Sequence, residues 1–271
     1  MMRDLKFEMK DYGVYYFANI IDGVLEDSFS YLRNLNDIFG EGNIQNFLSP
    51  FPKISAFHSF VIFIVDSVFR EEKDEFEYFK KYGTLSISHW FEQYSDDIEL
   101  FDKWLLSNNR PVKKVVLEDV EGYLEEIFLS QYYEDVLVKI SEEVFFLMFS
   151  NRKILQRFNV LVSGYVEMLE LSEIDEESLL FLKSSGKVKR VNIPKWVKDA
   201  VFFRDRGRCV LCNRDLSNLL SRQNKNNYDH IVPLNLFGLN DVTNIQLLCE
   251  KCNMEKLDKN YSTSQFYEKW Y

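Results

Sequence analysis

Apolar residues recur at three- and four-residue spacing through most of the chain, from about residue 11 to residue 180. The clearest stretch runs from 120 to 148, where apolar side chains form one face and mostly acidic side chains the other. This spacing is typical of amphipathic α-helices. Breaks at 50–52 (Pro-Phe-Pro) and 108–111 (Asn-Asn-Arg-Pro) predict boundaries between helices. The sequence therefore predicts a mainly helical N-terminal region.

The composition changes after residue 182. The segment 183–190 (Lys-Ser-Ser-Gly-Lys-Val-Lys-Arg) is small, polar and basic, which favours an exposed linker. Pro194 then predicts the start of a short helix over 195–204, and Gly207 its end. We expect a helical domain at 1–182, a basic linker at 183–190 and a second domain at 191–271.

The composition is that of a globular protein, with 46% hydrophobic and 28% charged residues. No stretch approaches the roughly 20 apolar residues that a membrane helix needs. The first eight residues are too charged for the apolar core of a secretory signal. These features predict a cytoplasmic protein with no membrane contact.

Charge is distributed unevenly between the two predicted domains. The net charge of −10 divides into −17 for residues 1–182 and +7 for residues 183–271. A basic C-terminal region suits contact with phosphate groups. At this stage an accidental asymmetry of solvated charges explains the numbers equally well.

All four cysteines lie in the basic region, as the pairs Cys209/Cys212 and Cys249/Cys252. Two CxxC pairs in an intracellular chain indicate metal ligands, and four thiolates complete a closed tetrahedral Zn²⁺ site. A redox CxxC or simply buried cysteines are the alternatives; the two matched pairs favour structural zinc. The 36 residues between the pairs should form a unit of their own.

Candidate catalytic groups lie between and just after the cysteines. Hydrolysis of a phosphodiester needs a base for water and a cation for the developing charge. His230 has the side chain for the base, while Asp229 and Asn253 offer hard oxygen ligands for Mg²⁺ or Mn²⁺. Neighbouring strand residues face opposite ways, so Asp229 and His230 must lie at a strand end or bulge to share one site. A packed structural histidine and ordinary turn asparagines are the alternatives.

Several of these motifs, taken in order, resemble the cysteine-bearing HNH endonucleases. The resemblance covers about residues 190–260 and is carried by 204–212 (Arg-Asp-Arg-Gly-Arg-Cys-Val-Leu-Cys), 229–234 (Asp-His-Ile-Val-Pro-Leu), 244–253 (Asn-Ile-Gln-Leu-Leu-Cys-Glu-Lys-Cys-Asn) and Lys256. It implies a small α+β domain, in which a β-hairpin and a helix hold one catalytic divalent ion. The predicted fold class is thus a mainly α N-terminal domain followed by a zinc-stapled ββα-metal domain.

The resemblance also implies a role for each matching residue. His230 would activate the attacking water, Asp229 and Asn253 would bind the catalytic Mg²⁺ or Mn²⁺, and Asn244 would orient the loop that holds His230. The cysteines would form the zinc site, and Lys256, Arg204 and Arg208 would contact nucleic acid. Asn253 stands where the family often has histidine; an amide oxygen is a weaker ligand than a carboxylate and cannot act as an acid, which puts the choice of metal in doubt.

Together these observations predict a metal-dependent endonuclease that cuts DNA and leaves 5′-phosphate and 3′-hydroxyl ends. The helical region would supply regulation, assembly or target choice, through a protein partner or self-association. The layout resembles nucleases of bacterial restriction and anti-phage systems, by analogy alone. Two alternatives stay open: a catalytically silent zinc module that binds nucleic acid, and an interaction protein whose acidic surface masks its basic region.

Overall fold

The computed structural model describes residues 13–71, 74–95, 97–111, 114–217, 226–258 and 260–267. The chain forms two compact units, one from Met1–Phe17 and Val61–Phe145 and the other from Ala18–Phe60 and Phe146–Tyr271. Among the described residues, no helix is long and apolar enough to cross a membrane. The helices are α1 (Gly13–Glu26), α2 (Leu32–Phe39), α3 (Ala56–Glu71), α4 (Glu75–Tyr82), α5 (Ser88–Tyr94), α6 (Phe101–Ser107), α7 (Leu117–Phe128), α8 (Gln131–Phe149), α9 (Arg152–Glu167), α10 (Glu176–Leu179), α11 (Lys195–Arg204) and α12 (Glu250–Lys256), and the strands are β1 (Asn226–His230) and β2 (Ile245–Cys249).

The first unit is helical and has an aromatic core. Phe17 packs against Phe69 and Trp90, with ring centroids 5.7 and 4.8 Å apart. A second cluster joins Phe101 to Tyr123 at 5.2 Å. Aromatic side chains bury large apolar areas, and such pairs add stability beyond the area they bury. The aromatic residues of this region thus serve as core.

The helical pattern at 120–148 belongs to two helices, α7 and α8. The break falls at Ser130, whose hydroxyl donates to the carbonyl of Ile127 and accepts from the backbone N–H of Tyr133. A serine that bonds to its own backbone in this way ends one helix and caps the next. The apolar spacing continues across the break, which is why periodicity alone predicts a single helix.

The second unit combines helices with the only sheet among the described residues. Phe158 of α9 packs against Phe57 and Phe60 of α3, with ring centroids 5.0 and 5.4 Å apart. β1 and β2 pair antiparallel, with Asp229 opposite Gln246 and His230 opposite Ile245. α12 follows β2 directly. The predicted fold class, mainly helical with a small ββα element near the C-terminus, is confirmed.

Three hydrogen bonds connect the ββα region to helices that lie far away in the sequence. The carboxylate of Asp241 accepts from the backbone N–H of Ala56, the first residue of α3, at 2.9 Å. Asn159 of α9 donates to the hydroxyl of Thr243 at 3.2 Å. The backbone N–H of Phe51 donates to the carbonyl of Asn240 at 2.7 Å. Residues before 61 and residues after 145 therefore share one core.

The basic segment predicted as a linker forms a tight turn. The backbone N–H of Lys183 donates to the carbonyl of Lys187, and Val188 is fully buried. Gly186 occupies the left-handed region at φ 75°, which a residue without a side chain adopts at no steric cost. The division of the chain into domains at 1–182, 183–190 and 191–271 stays a prediction.

Candidate active site and metal centre

A cleft of about 1120 Å³ lies beside the β1–β2 hairpin in the second unit. Asp229, His230 and Asn253, three of the residues predicted from the sequence, line this cleft. Two cationic residues, Arg190 and Lys198, line it as well. The cleft thus combines a carboxylate, an imidazole, an amide and positive charge on one surface.

His230 is the last residue of β1, at the strand end that a shared site requires. Its side chain is almost fully buried, and Nε2 lies 3.1 Å from Oδ1 of Asn240. Nδ1 is itself buried and has no hydrogen-bond partner among the described residues. Burial lowers the pKa of His230 to about 4; the bond to Asn240 opposes this shift, while the positive charges of Arg190 and Lys256 add to it. The ring is therefore neutral at pH 7, with one nitrogen lone pair unused.

Asn240 is hydrogen-bonded to His230 and also forms hydrogen bonds with two other segments of the chain. Its amide Nδ2 donates to the backbone carbonyl of Lys189 at 2.7 Å. Its own backbone carbonyl accepts the N–H of Phe51. The sequence places Asn240 in the loop after β1 but predicts no role for it, because neither partner is near it in the chain.

Asn244 braces the loop that follows His230. Its side chain accepts from the N–H of Val232 at 2.8 Å and donates to the carbonyls of Val232 and Leu239, both at 2.9 Å. The backbone carbonyl of Asn244 also accepts the N–H of Ile231 at 2.6 Å. These bonds close the loop directly behind His230. The catalytic role predicted for Asn244, orientation of this loop, stays a prediction.

Gly238 allows this loop to close. A Cβ atom at this position would lie 2.0 Å from the carbonyl oxygen of Val232 and 2.9 Å from Nδ2 of Asn244. Contacts that short do not occur in folded proteins, so only glycine fits without displacing backbone. The hydrogen bonds of Asn244 and the glycine at 238 therefore depend on the same geometry, in which Gly238 and Asn244 both lie against the carbonyl of Val232.

Asp229 forms an ion pair with a buried lysine. Nζ of Lys256 lies 2.9 Å from Oδ2 of Asp229 and donates to the backbone carbonyl of His230 at 2.7 Å. The Lys256 side chain is only 1% exposed, whereas that of Asp229 is 17% exposed. The ammonium thus fixes both the Asp229 carboxylate and the end of β1.

The residues predicted to contact nucleic acid occupy different environments. Lys256 lies inside the domain, as described above. Arg204 is also buried; its guanidinium pairs with Asp205 at 2.9 Å and donates to the carbonyl of Ile245 at 2.6 Å. Arg208 is half-buried and donates to the carbonyl of Asn213. The charged groups of Lys256 and Arg204 are thus buried and do not face solvent. The cations that line the cleft are Arg190 and Lys198.

The four cysteines converge on one point. The Sγ atoms of Cys209, Cys212, Cys249 and Cys252 all lie within 4.8 Å of one another, and those of Cys212 and Cys249 are 3.7 Å apart. A tetrahedral zinc site with Zn–S bonds of about 2.3 Å needs sulfur atoms roughly 3.8 Å apart. The thiol groups therefore fit a zinc ion, as predicted, and leave no open position for substrate.

The cysteine cluster connects β2 to α12. Cys249 ends β2 and is the N-cap of α12, where its sulfur accepts from the N–H of Cys252. Asn253, the next residue on α12, lines the cleft. The thiol cluster and the cleft thus share one short helix.

These groups suit hydrolysis of a phosphate ester. A neutral imidazole with an unused nitrogen can take a proton from water. A carboxylate and a carboxamide oxygen are the ligands that Mg²⁺ and Mn²⁺ prefer. Positive charge on the same surface attracts a phosphate backbone.

Comparison with known proteins identifies the segment that carries this site. Residues 209–259 match the HNH endonuclease family, and the match includes all four cysteines, Asp229, His230, Asn244 and Asn253. No curated protein and no solved structure matches the chain. The family resemblance predicted from the sequence is confirmed for this segment, and a domain of this family indicates nuclease activity on a nucleic-acid substrate.

Proposed function

Starting from an HNH domain at 209–259, we propose that the chain is a metal-dependent endonuclease that hydrolyses DNA phosphodiester bonds. One observation carries this proposal. Asp229, His230 and Asn253, separated by up to 24 positions in the sequence, line one cleft, and the histidine in it is neutral with an unused nitrogen. A module that only binds nucleic acid needs none of these three groups.

His230 acts as the general base in this proposal. Its Nδ1 accepts a proton from a water molecule, whose oxygen forms the new bond to phosphorus while the bond from phosphorus to the 3′ oxygen breaks. The products carry a 5′-phosphate and, after protonation of the leaving oxygen, a 3′-hydroxyl. A base that is already neutral at pH 7 is ready for this step without first losing a proton.

Asp229 and Asn253 hold the catalytic cation. Both line the cleft, and both offer hard oxygen atoms. The ion pair with Lys256 would hold the Asp229 carboxylate in place for a cation bound there. A bound Mg²⁺ or Mn²⁺ supplies positive charge that stabilises the phosphate and the leaving oxygen. The four cysteines hold structural Zn²⁺ apart from this chemistry.

Arg190 and Lys198 bind the DNA backbone next to the cleavage site. Both are cleft residues in the part of the chain that carries net positive charge. Arginine and lysine supply the usual phosphate contacts in protein–DNA complexes. The buried cations Arg204 and Lys256 support the fold and the site from inside.

The helical region regulates or targets the nuclease, through a protein partner or self-association. The acidic region, residues 1–182, repels DNA and cannot serve as a general clamp. The hydrogen bonds from α3 and α9 to the loop after β1 give the helices of the second unit a physical connection to the site. Placement in restriction or anti-phage defence rests on the layout of the chain alone.

The proposal is tested by incubating supercoiled plasmid with zinc-loaded protein and Mg²⁺ or Mn²⁺. We expect nicking or linearisation that disappears when the divalent ion is omitted, with zinc retained. His230→Ala should abolish cutting while DNA binding persists. His89→Ala, which changes an exposed histidine outside the second unit, is the matched control and should cut normally.

Each outcome separates the candidate functions. Equal cutting by His230→Ala would remove His230 from the mechanism. Binding without cutting, by folded wild-type protein on DNA and on RNA, would favour the silent binding module instead. Cutting of RNA but not of DNA would overturn the assignment of substrate and leave the chemistry in place.

A further inference from the structure

We propose that Asn240 is a positioning residue that holds the proton of His230 on Nε2 and thereby leaves Nδ1 as the base. The inference rests on the proposed function and adds a residue to it. Asn240 is not a group that touches substrate or metal, since the residue is only 4% exposed and both ends of its amide are bonded inside the protein. It acts through the imidazole.

The hydrogen bonds fix which end of the Asn240 amide faces His230. A backbone carbonyl can only accept, so the atom of Asn240 that lies 2.7 Å from the carbonyl of Lys189 must be the amide nitrogen. The amide oxygen is then the atom 3.1 Å from Nε2 of His230. Because that oxygen cannot donate, Nε2 must be the donor in this bond and therefore carries a proton. The lone pair is left on Nδ1, the nitrogen without a partner among the described residues.

Two segments hold Asn240 in this orientation. Lys189 belongs to the turn that precedes α11, and Phe51 lies between Pro50 and Pro52, 189 positions before Asn240. Phe51 adopts a left-handed backbone at φ 52°, which is costly for a bulky residue. Surrounding structure must stabilise that conformation. The direction of the His230 ring thus depends on residues outside the segment that matches the HNH family.

The tautomer can be read directly by nuclear magnetic resonance. The chain has three histidines, so the ring-nitrogen signals of His230 are those that vanish in His230→Gln. We expect wild-type protein to show a protonated Nε2 and an unprotonated Nδ1. This measurement needs no substrate, so it decides the inference even if the wild type fails to cut DNA, a result that would bear on the proposed function alone.

Two variants separate positioning from mere support of the fold. Asn240→Ala should mix the tautomers and lower kcat for plasmid cutting by about 10- to 100-fold, the usual cost of removing a partner of an active-site ligand or base, with little change in KM. Asn240→Asp keeps an acceptor for Nε2, so it should retain the Nε2-protonated ring and cut faster than Asn240→Ala. Asn235→Ala is the control, because Asn235 lies in the same loop and bonds to Lys187 instead of the histidine.

Two results would overturn the inference. The first is a wild-type ring protonated on Nδ1. The second is an Asn240→Ala protein with an unchanged tautomer, whatever its stability, since a residue that only supports the fold would lower the melting temperature and leave the ring as it was. If Asn240→Ala loses zinc or does not fold, the wild-type spectrum still decides.

Discussion

The guanidinium of Arg152 lies 3.3 Å from the carboxylate of Asp205, and neither side chain is more than 2% exposed. Arg152 begins α9, and Asp205 directly follows α11. The same carboxylate accepts the N–H of Leu247 in β2, while the guanidinium also donates to the carbonyls of Ser264 and Phe266. This ion pair joins a helix from the predicted N-terminal domain to the strand that ends in Cys249 of the cysteine cluster.

Removal of Arg152 should therefore destabilise the second unit. Arg152→Ala leaves a buried carboxylate with one cation fewer and frees two backbone carbonyls, which costs about 3–5 kcal/mol in comparable buried pairs. Arg157→Ala is the control on the same helix, because its partner Asp22 is 42% exposed and such pairs contribute at most about 1 kcal/mol. Urea unfolding measures both. If the two variants lost the same free energy of unfolding, burial would not make the Arg152–Asp205 pair more stabilising than the exposed pair.

The loop after β1 should be equally sensitive at Gly238. Gly238→Ala would place a methyl group against the carbonyl of Val232, so we expect a lower melting temperature and slower cutting, because the loop behind His230 must open. Gly164→Ala makes the same change inside α9, where a Cβ meets nothing within 4 Å. That variant should gain about 0.5–1 kcal/mol of stability from better helix propensity.

A stable, fully active Gly238→Ala protein would contradict the close approach of Gly238 to the carbonyl of Val232.

DNA affinity should depend on the two cations of the cleft. Arg190→Ala and Lys198→Ala should each weaken binding at all sequences and reduce the salt slope, d log K/d log[salt], by about 1 per lost phosphate contact. Lys195→Ala is the matched control on α11, because Lys195 pairs with Asp199 and does not line the cleft. Fluorescence anisotropy over a series of salt concentrations gives the slopes. An unchanged slope in both cleft variants would move the DNA to another surface.

Lys256 should behave differently from these surface cations. Because its ammonium is enclosed by Asp229 and the carbonyl of His230, Lys256→Met should leave the salt slope of DNA binding unchanged. It should instead lower the melting temperature and change the Mg²⁺ concentration that gives half-maximal cutting, since the Asp229 carboxylate loses its fixed partner. A salt slope reduced by about 1 would support the phosphate contact predicted from the sequence.

Zinc should support the fold rather than take part in the chemistry. We expect about one zinc ion per chain, and Cys252→Ser should lose it along with much of the thermal stability, because metal binding in small domains supplies folding free energy. Addition of Mg²⁺ should not restore cutting to the zinc-free protein. Elemental analysis and thermal melts check both statements. A zinc-free protein that melts at the wild-type temperature would show that the thiols are structurally dispensable.

Local patterns were enough to predict the candidate site. Asp229, His230 and Asn253 were singled out from side-chain chemistry and from the family resemblance; all three line one cleft, and their catalytic roles stay predictions. Cysteine pairs constrain the chain within a few residues, so the cluster follows from sequence alone. Helix α11 was predicted at 195–204 from Pro194 and the composition, and it forms at those residues.

Partners far apart in the sequence were beyond such reasoning. Asp241 bonds to Ala56 across 185 positions, and Asn240 bonds to Lys189 across 51. The family resemblance made Arg204 and Lys256 candidates for DNA contact, but a sequence motif cannot tell a buried cation from an exposed one. Burial depends on packing of the whole unit, so their positions emerge only from the fold.

The discontinuous second unit also dictates an order of events during synthesis. Its core needs residues 18–60 together with residues 146–271, and residues 61–145 are made in between. A ribosome must therefore release nearly the entire chain before Phe51 can meet Asn240 and Ala56 can meet Asp241. Until then the loop behind His230 lacks two of its supports. A nascent chain that stalls early thus carries an incomplete candidate site.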